Sequence, residues 1–350
     1  MAGETDLVRR IGIAHPIIQA PMVGPKAPLA AAVSAAGGLG SLGCAALTPD
    51  QIRAEVAAIR AVTDGPFNLN FFCHALPALD PAREAAWRSA LAPYYAEFGL
   101  DPAALVAMAN RAPFDAAMAE VVEELRPAVV SFHFGLPAEP LLRRVREAGC
   151  LILSSATTVR EARWLAERGV DAVIAQGAEA GGHRGLFLTD AAASQVGTIA
   201  LVPQIADAVN VPVIAAGGIS DPRGVAAAFA LGASAVQVGT AYLRCPEAGL
   251  SAPYRTALST ARDEDTALTN VFTGRPARGL LTRAVRELGP ISAVAPAFPG
   301  AAVALQPLRT AAEAQGSGDF SPLWSGQAVG LSRERPAADL TRLLASGVPG

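Results

Sequence analysis

The sequence predicts an α/β protein whose eight parallel strands and intervening helices form a (β/α)8 barrel, the TIM barrel. Three observations support this fold. Eight short apolar segments alternate with helical patterns, several of these segments end in glycine-rich turns, and the 350 residues exceed the roughly 250 that such a barrel needs. Because these barrels carry their active sites at the carboxyl ends of the strands, function is expected at the glycine-rich turns.

The candidate strands share an apolar core and a turn at the carboxyl end. They are residues 16–19, 38–42, 67–71, 128–132, 151–154, 171–175, 211–215 and 235–238. Near-continuous apolar runs such as 171–175 and 211–215 are typical of strands buried on both faces of a parallel sheet. Residues 169–177 and 232–239 also share the same order of features. Each segment has a glycine, a small-residue turn, a strand and a second glycine. The repeat indicates helix-to-strand units.

Helix starts are marked by capping signals. Residues 48–51 and 158–161 both read as capping boxes, with threonine at the cap and Gln51 or Glu161 three residues later. Asp221 followed by Pro222 reads as an N-cap and a proline at the first helical position. These signals place helices directly after candidate strands, as a barrel requires.

Two additions to the barrel are expected. A helical insertion at about residues 73–114 follows the third strand and includes a helix around 81–98, whose Trp87, Tyr94 and Tyr95 are placed to pack over the barrel mouth. After the eighth strand, about residues 246–350 form a helical extension that caps the barrel. No linker divides the chain, so residues 1–350 are predicted to be a single domain.

The most informative segment is the histidine loop, residues 175–185, which follows a strand and contains Gly181 and His183. Glycines allow backbone to approach a flat ligand closely, although a GGH sequence alone also fits a solvated surface turn. Two other strands end in Gly217-Gly218 and in Gly239-Thr240, whose backbone N–H groups are suited to an anion. Neither turn contains lysine or arginine, which favours a flavin monophosphate over an exchanging polyphosphate.

Composition excludes several classes of protein. The formal net charge is −3 and 51% of residues are hydrophobic, so no basic surface for nucleic acid or anionic membrane is expected. The four cysteines show no CxxC spacing and predict no metal site. The amino terminus lacks a signal-peptide pattern and no apolar run is long enough for a membrane span. A soluble, cytoplasmic protein is therefore expected.

Six segments in this order resemble the nitronate monooxygenase family. They are residues 16–22, 67–70, 175–185, 215–218, 237–240 and 319–327. The resemblance implies an FMN-dependent enzyme that oxidises alkyl nitronates, and neutral nitroalkanes as well, with O2 to a carbonyl compound and nitrite. The alternative is an NAD(P)H-dependent FMN oxidoreductase of the enoyl-acyl-carrier-protein reductase or quinone reductase kind, and a non-catalytic FMN-binding barrel ranks last.

The resemblance also implies roles for individual residues. The cofactor contacts are Pro21, Met22, Asn70, Gln176, Gly181, Gly217, Gly218, Gln237, Gly239 and Thr240. His183 acts as the base or as the partner of an anionic substrate, and His133 hydrogen-bonds the substrate unless neighbouring backbone satisfies it. Two of the cofactor residues have an alternative role. Asn70 could instead hydrogen-bond polar groups inside the barrel, and Met22 could instead pack in the core.

Departures from the family bear on the substrate. Residues 295–308 contain neither the tyrosine nor the lysine that the family carries in its carboxyl-terminal motif, so a more apolar pocket is expected. Arg184 either favours the entry of an anion or is simply exposed. The partners implied are the small-molecule substrate and O2, with no nucleic acid and no membrane, and a homodimer is left open.

Overall fold

The computed structural model describes residues 2–24, 26–78, 80–101, 112–189 and 191–350, and it confirms the predicted (β/α)8 barrel. The strands are β1 (Ile17–Gln19), β2 (Met22–Val23), β3 (Gly40–Gly43), β4 (Phe67–Phe72), β5 (Val129–His133), β6 (Leu151–Ala156), β7 (Ala172–Gln176), β8 (Gly182–His183), β9 (Val213–Ala216), β10 (Ala235–Val238), β11 (Thr266–Thr269) and β12 (Ala277–Leu280). Each of the eight predicted strand segments overlaps a strand of the barrel.

The barrel is a ring of parallel pairs in the order β1, β10, β9, β7, β6, β5, β4, β3 and β2. β1 pairs with β10 and β2 pairs with β3, so these two short strands are halves of the first barrel strand. The break between them falls at Ala20 and Pro21, and proline has no N–H to donate to a neighbouring strand. The interruption turns this part of the backbone toward the carboxyl-end opening.

Helices surround the ring. They are α1 (Ala2–Ile11), α2 (Ala27–Ala35), α3 (Pro49–Arg60), α4 (Pro81–Glu97), α5 (Ala116–Leu125), α6 (Glu139–Glu147), α7 (Val159–Glu167), α8 (Thr198–Ala206), α9 (Pro222–Ala230), α10 (Thr240–Leu243), α11 (Ala252–Thr260), α12 (Arg283–Leu288), α13 (Ala301–Ala314) and α14 (Ala337–Ala345), with 3₁₀ turns at Ala192–Ser194, Pro246–Ala248 and Gln327–Leu331.

Alternate strand residues enter two different apolar layers, as the period of a strand requires. Ile17 packs between the sheet and the helices, whereas Ile18 packs inside the ring. The interior layer includes Val129, the first residue of β5, together with Leu7 and Ile11 of α1. Helix α1 therefore closes the amino-terminal end of the barrel, and the opposite end remains for a site.

Two of the predicted helix starts are confirmed in full. Thr48 and Gln51 form the reciprocal capping box at the start of α3. The Asp221 carboxylate accepts hydrogen bonds from the N–H groups of Arg223 and Gly224, at 2.9 and 3.4 Å, at the start of α9. Each cap satisfies N–H groups that the helix itself leaves without a partner.

The third capping signal is only half correct. Thr158 caps α7 through the N–H of Glu161, as predicted, but the Glu161 side chain does not return to the cap. It is fully buried and accepts hydrogen bonds from Thr157 and from the N–H groups of Phe187 and Leu188, the latter two at 2.7 and 3.2 Å. Glu161 thus fixes the segment that follows the histidine loop to α7.

The predicted insertion includes helix α4, and residues 79 and 102–111 of it lie outside the described residues. Its aromatic side chains contact the carboxyl-terminal extension. Trp87 Nε1 donates to the carbonyl of Ala301 at 3.1 Å, and Tyr95 Oη donates to that of Ala304 at 2.6 Å. Tyr94 packs on Phe320, with ring centroids 5.3 Å apart. Helix α4 of the insertion therefore supports the extension.

The carboxyl-terminal extension contains helices, as predicted, and also two strands that the sequence analysis missed. β11 pairs antiparallel with β12, and β12 pairs antiparallel with β8, the centre of the histidine loop. In this register Ala277 lies opposite His183 and Arg278 lies opposite Gly182. The extension therefore holds the loop by main-chain pairing.

We expect Glu161→Gln to destabilise the protein by about 2 kcal/mol or more, because an amide nitrogen would face N–H donors inside a buried site. The measurement is urea-induced unfolding. Glu167→Gln is the matched control, since Glu167 lies on the same helix and is exposed, and it should change stability by less than about 0.5 kcal/mol. Equal stability of the two variants would contradict the anchoring role.

Candidate active site

A cavity of about 430 Å³ lies at the carboxyl ends of the barrel strands, beneath the extension. All the residues to which the sequence analysis gave a site role line it. They are Pro21, Met22, Asn70, His133, Gln176, Gly181, His183, Gly217, Gly218, Gln237, Gly239 and Thr240. The structure thus brings together side chains and turns from six of the eight barrel strands, while their individual roles remain predictions.

Arg184 is the electrostatic centre of the histidine loop, and its environment differs from both expectations. It is neither exposed nor directed to an incoming anion, because the side chain is fully buried. Its guanidinium donates to the carbonyl oxygens of Gly177 and Gln176, at 2.6 and 2.7 Å, and to Oε1 of Gln195 at 2.8 Å. Burial lowers its pKa to about 10, so the group remains charged near pH 7 and ties the two ends of the loop together.

The carbonyl oxygen of His183 accepts hydrogen bonds from two side chains of the barrel. Gln176 Nε2 donates at 2.9 Å and the His133 ring contacts it through Nε2 at 3.1 Å. Gln176 Oε1 in turn accepts from the N–H of Gly185 at 2.7 Å. Both ends of the Gln176 amide therefore support the loop, and only its second N–H hydrogen and remaining lone pairs are left for a ligand.

His133 is held as a neutral ring. A carbonyl only accepts, so Nε2 carries a hydrogen toward His183, and Nδ1 accepts from the hydroxyl of Ser155 at 3.1 Å. Burial, assisted by the positive charges of Arg275 and Arg184, lowers the His133 pKa to about 4. This geometry favours the alternative of a histidine satisfied by its neighbours over direct donation to a substrate.

The imidazole of His183 is 7% exposed and lies at the cavity wall. Its Nε2 is 2.9 Å from the hydroxyl oxygen of Thr273. Four aromatic rings surround it at centroid distances from 5.3 to 6.0 Å, and they belong to Trp324, Phe298, Phe72 and Phe134. The histidine therefore faces the cavity from an apolar setting, which keeps bulk water away from one side of the ring.

Asn70 and Met22 occupy the barrel side of the cavity. Asn70 Nδ2 donates to the hydroxyl of Ser131 at 2.9 Å, and Asn68 Nδ2 donates to the same hydroxyl at 2.9 Å. The polar role inside the barrel, left open for Asn70, is thus present together with its position on the cavity wall. Met22 is part of β2 and also packs against the main core.

The turns after β9 and β10 form a polar cradle. Gly217 and Gly218 have φ values of +117° and +72°, which other residues rarely adopt. The hydroxyl of Thr240 accepts from the N–H of Gly326 at 2.9 Å, which leaves its hydrogen for another acceptor. The side-chain oxygens Oγ of Ser220 and Oε1 of Gln237 are buried on this wall without a hydrogen-bond partner among the described residues.

The outer part of the cavity contains residues that sequence reasoning missed. Lys26 Nζ donates to the carbonyl of Ala248 at 2.5 Å, and burial lowers the pKa of this lysine. Arg309 pairs with Glu313 at 2.9 Å, and both line the cavity. The only available signal was the segment 319–327, which includes Trp324. The absence of tyrosine and lysine from residues 295–308 predicted an apolar pocket, and the cavity contains charged groups in addition to its apolar wall.

Other kinds of site find no support in the described ranges. Within them, no cluster of three or more histidine, cysteine, aspartate or glutamate side chains is arranged to hold a metal ion. Among the described helices, none has the length and apolarity of a membrane span. Three cysteines, Cys44, Cys150 and Cys245, are buried, and burial raises the pKa of each thiol.

Known proteins are similar to this chain over nearly its whole length. The chain is 46% identical over 345 residues to a nitronate monooxygenase from Pseudomonas aeruginosa, with 98% of each chain covered. The solved structure of a nitroalkane oxidase from Streptomyces ansochromogenes is 38% identical, with a TM-score of 0.88 and 97% and 98% of the two chains covered. FabK from Thermotoga maritima is 29% identical, with a TM-score of 0.70 over 98% and 95% of the chains.

The family model described as nitronate monooxygenase matches residues 4–347, nearly the whole chain. This match covers the barrel, the histidine loop and the extension that completes the cavity. The chain belongs to the nitronate monooxygenase family and is a flavin-dependent oxidoreductase.

Proposed function

We propose that this chain is an FMN-dependent nitronate monooxygenase that oxidises alkyl nitronates with O2 to a carbonyl compound and nitrite. The observation that carries the proposal is the position of His183. It lies on the wall of the cavity that every predicted cofactor residue lines, within a ring of aromatic side chains. A group that can accept a proton from a nitroalkane or pair with a nitronate anion, beside a site for a flat cofactor, suits this reaction.

The residues present fit FMN. A phosphate would lie against the turns at Gly217-Gly218 and Gly239-Thr240, where backbone N–H groups and the free hydrogen of the Thr240 hydroxyl serve as donors. The unpartnered oxygens of Ser220 and Gln237 supply further polar contacts that the protein itself leaves unused. A buried polar atom without a partner is costly, so its presence on a cavity wall favours a bound polar ligand.

The flavin, when bound, supplies the electron acceptor for nitronate oxidation and the route to O2. The protein supplies binding, orientation and proton handling. His183 takes the α-proton of a neutral nitroalkane, or pairs as an imidazolium with a nitronate that is already an anion. Phe298 and Trp324 pack against the ring and exclude water on that side, which strengthens its interaction with a charged substrate.

His133 and Gln176 act on the position of His183 rather than on the substrate. Their donation to the His183 carbonyl fixes the backbone from which the imidazole projects. Arg184 fixes the two ends of the same loop. We therefore assign His133 to support of the catalytic histidine, in place of the substrate hydrogen bond that the resemblance implied.

The purified protein is expected to be yellow and to release FMN, and not FAD, on denaturation, because the two glycine turns form one phosphate cradle in this cavity. Chromatography of the released flavin makes the measurement. Recovery of FAD, or failure to retain any flavin after reconstitution, would contradict the assignment.

Two glycine variants test whether FMN binding depends on the polar cradle. An alanine Cβ at Gly217 would lie 3.0 Å from the N–H nitrogen of Ala180, whereas one at Gly316 would meet open space, and both glycines have positive φ. Gly217→Ala should weaken FMN binding by about tenfold or more, the effect of roughly 1.4 kcal/mol. Gly316→Ala introduces a similar backbone strain at a positive φ and should bind FMN normally.

Turnover separates the proposed function from the NAD(P)H-dependent alternative. Alkyl nitronates should drive O2 consumption and nitrite formation, while anaerobic NADH or NADPH should bleach the flavin only at background rates. His183→Asn should lower activity on neutral nitroalkanes by on the order of a hundredfold, and activity on preformed nitronate less, with FMN content unchanged. Rapid bleaching by a nicotinamide cofactor without nitronate oxidation would establish the alternative instead.

The neutral state of His133 predicts a pH dependence of stability. The unfolded chain takes up a proton near pH 6.5, whereas the native ring resists protonation until about pH 4, so the free energy of unfolding should fall as the pH is lowered through that window. The contribution is on the order of 3 kcal/mol. It is measured by urea unfolding at about pH 7 and pH 4.5.

His133→Gln removes the titrating ring while keeping a donor toward His183, so this variant should lose that part of the pH dependence. His15→Gln is the control, because His15 lies outside the cavity, and it should follow the wild type. An identical pH dependence in wild type and His133→Gln would show that His133 is not held neutral.

A further inference from the structure

Thr273 contacts the imidazole of His183 although it lies 90 residues later in the chain. The hydroxyl oxygen is 2.9 Å from Nε2, and the two residues are 2% and 7% exposed. A buried hydrogen bond of this length to a titrating ring changes the free energy of its protonated form. Neither the cofactor cradle nor the support of the His183 carbonyl accounts for this contact.

The turn that carries Thr273 is fixed on both sides. The N–H of Gly274 donates to the carbonyl of Asn270 at 2.7 Å, and the Asn270 side chain exchanges two hydrogen bonds of 2.8 Å with the backbone of Ser292. Beyond the turn, the N–H of Arg184 donates to the carbonyl of Pro276 at 2.8 Å, just before β12 pairs with β8. The hydroxyl is therefore held at a fixed distance from the ring.

The direction of the hydrogen bond follows from the second neighbour of the hydroxyl. The carbonyl oxygen of Arg275 lies 3.5 Å from Thr273 Oγ1 and can only accept. A hydroxyl has one hydrogen and two lone pairs. When its hydrogen is directed at that carbonyl, Thr273 presents a lone pair to His183 and Nε2 is the donor, which is the arrangement that uses both neighbours of the hydroxyl.

We propose that Thr273 is a positioning residue for His183, which accepts a hydrogen bond from Nε2, holds the imidazole in one orientation and favours the protonated ring. An acceptor for an imidazole N–H stabilises the charged form more than the neutral one. Loss of the hydroxyl therefore makes His183 a weaker base. The catalytic meaning of this inference rests on the proposed function, whereas the hydrogen bond is testable without turnover.

Other charged groups near His183 do not reproduce this effect. The titratable or charged side chains on its loop and on the elements packed against it belong to His74, His133, Glu179, Arg184, Arg275 and Arg278. The Glu179 carboxylate accepts hydrogen bonds from the N–H and the hydroxyl of Thr198. The arginines keep a constant charge, and His133 is neutral above about pH 4. His74 packs on the Phe298 ring, which lies between the two imidazoles with centroid distances of 4.7 and 5.4 Å.

The direct test is an NMR titration of the FMN-loaded protein with ¹⁵N-labelled histidine. The chain has only four histidines, and His183→Asn identifies the signal of interest. In the wild type, the neutral His183 ring should carry its hydrogen on Nε2. In Thr273→Val, which replaces the hydroxyl with a methyl group, the His183 pKa should fall by about one unit, equivalent to about 1.4 kcal/mol.

Two further variants serve as controls. Thr273→Ser restores the hydroxyl and should titrate like the wild type. Thr282→Val makes the same change at another buried threonine, whose hydroxyl has no partner within the described part of the chain, and it should also titrate like the wild type. A hydrogen on Nδ1 in the neutral wild-type ring would overturn the proposal even if Thr273→Val fails to fold, as would an unchanged pKa in a folded Thr273→Val.

Kinetics on the same proteins test the catalytic meaning. In Thr273→Val, kcat for a neutral nitroalkane should fall by about tenfold, with its pH profile shifted downward and KM little changed, while oxidation of preformed nitronate should remain near wild type. Equal losses on both substrates would overturn a role in proton transfer. If the wild type oxidises no nitronate, the proposed function fails, and the NMR result still decides whether Thr273 controls His183.

Discussion

The buried guanidinium of Arg184 is the constraint on which the rest of the site depends. A charge removed from water is tolerated only where its donors are satisfied, and here three carbonyl-type oxygens, from Gln176, Gly177 and Gln195, meet that requirement. These acceptors come together only when the loop closes after β7. A loop conformation that kept the guanidinium buried without these acceptors would be costly, so the arginine favours this backbone path for His183.

That backbone path is then supported from both sides. The barrel contributes His133 and Gln176, which hold the His183 carbonyl, and the extension contributes β12, which pairs with β8. The imidazole is therefore oriented before any ligand binds. Such preorganisation means that little ordering cost remains when a ligand binds, and it arises from hydrogen bonds to the main chain of the histidine together with contacts to its ring.

The sequence predicted the barrel and the cavity residues well because both are local properties. Strand patterns, helix caps and glycine turns are each determined by a few consecutive residues. Parallel strands of a barrel then bring their carboxyl ends to one place. Contacts that depend on pairing between distant segments of the chain could not be predicted from these local patterns. Thr273 and Trp324 reach His183 only through β12 and the segment after α13, and the buried state of Arg184 contradicts the usual exposure of arginine. The spacing of Glu161 matched a capping box, yet its carboxylate accepts hydrogen bonds from Thr157, Phe187 and Leu188 instead.

The pairing of β8 with β12 also bears on how the protein is made. Synthesis from the amino terminus completes the last barrel strand, β10, at Val238, before β12 at Ala277–Leu280 and the segment containing Trp324 exist. A nascent chain at that stage has every strand of the ring, but its histidine loop lacks the pairing with β12 and the contact with Trp324. The strand pairing and the aromatic contact that complete the surroundings of His183 therefore form only after the closing segments have been synthesised.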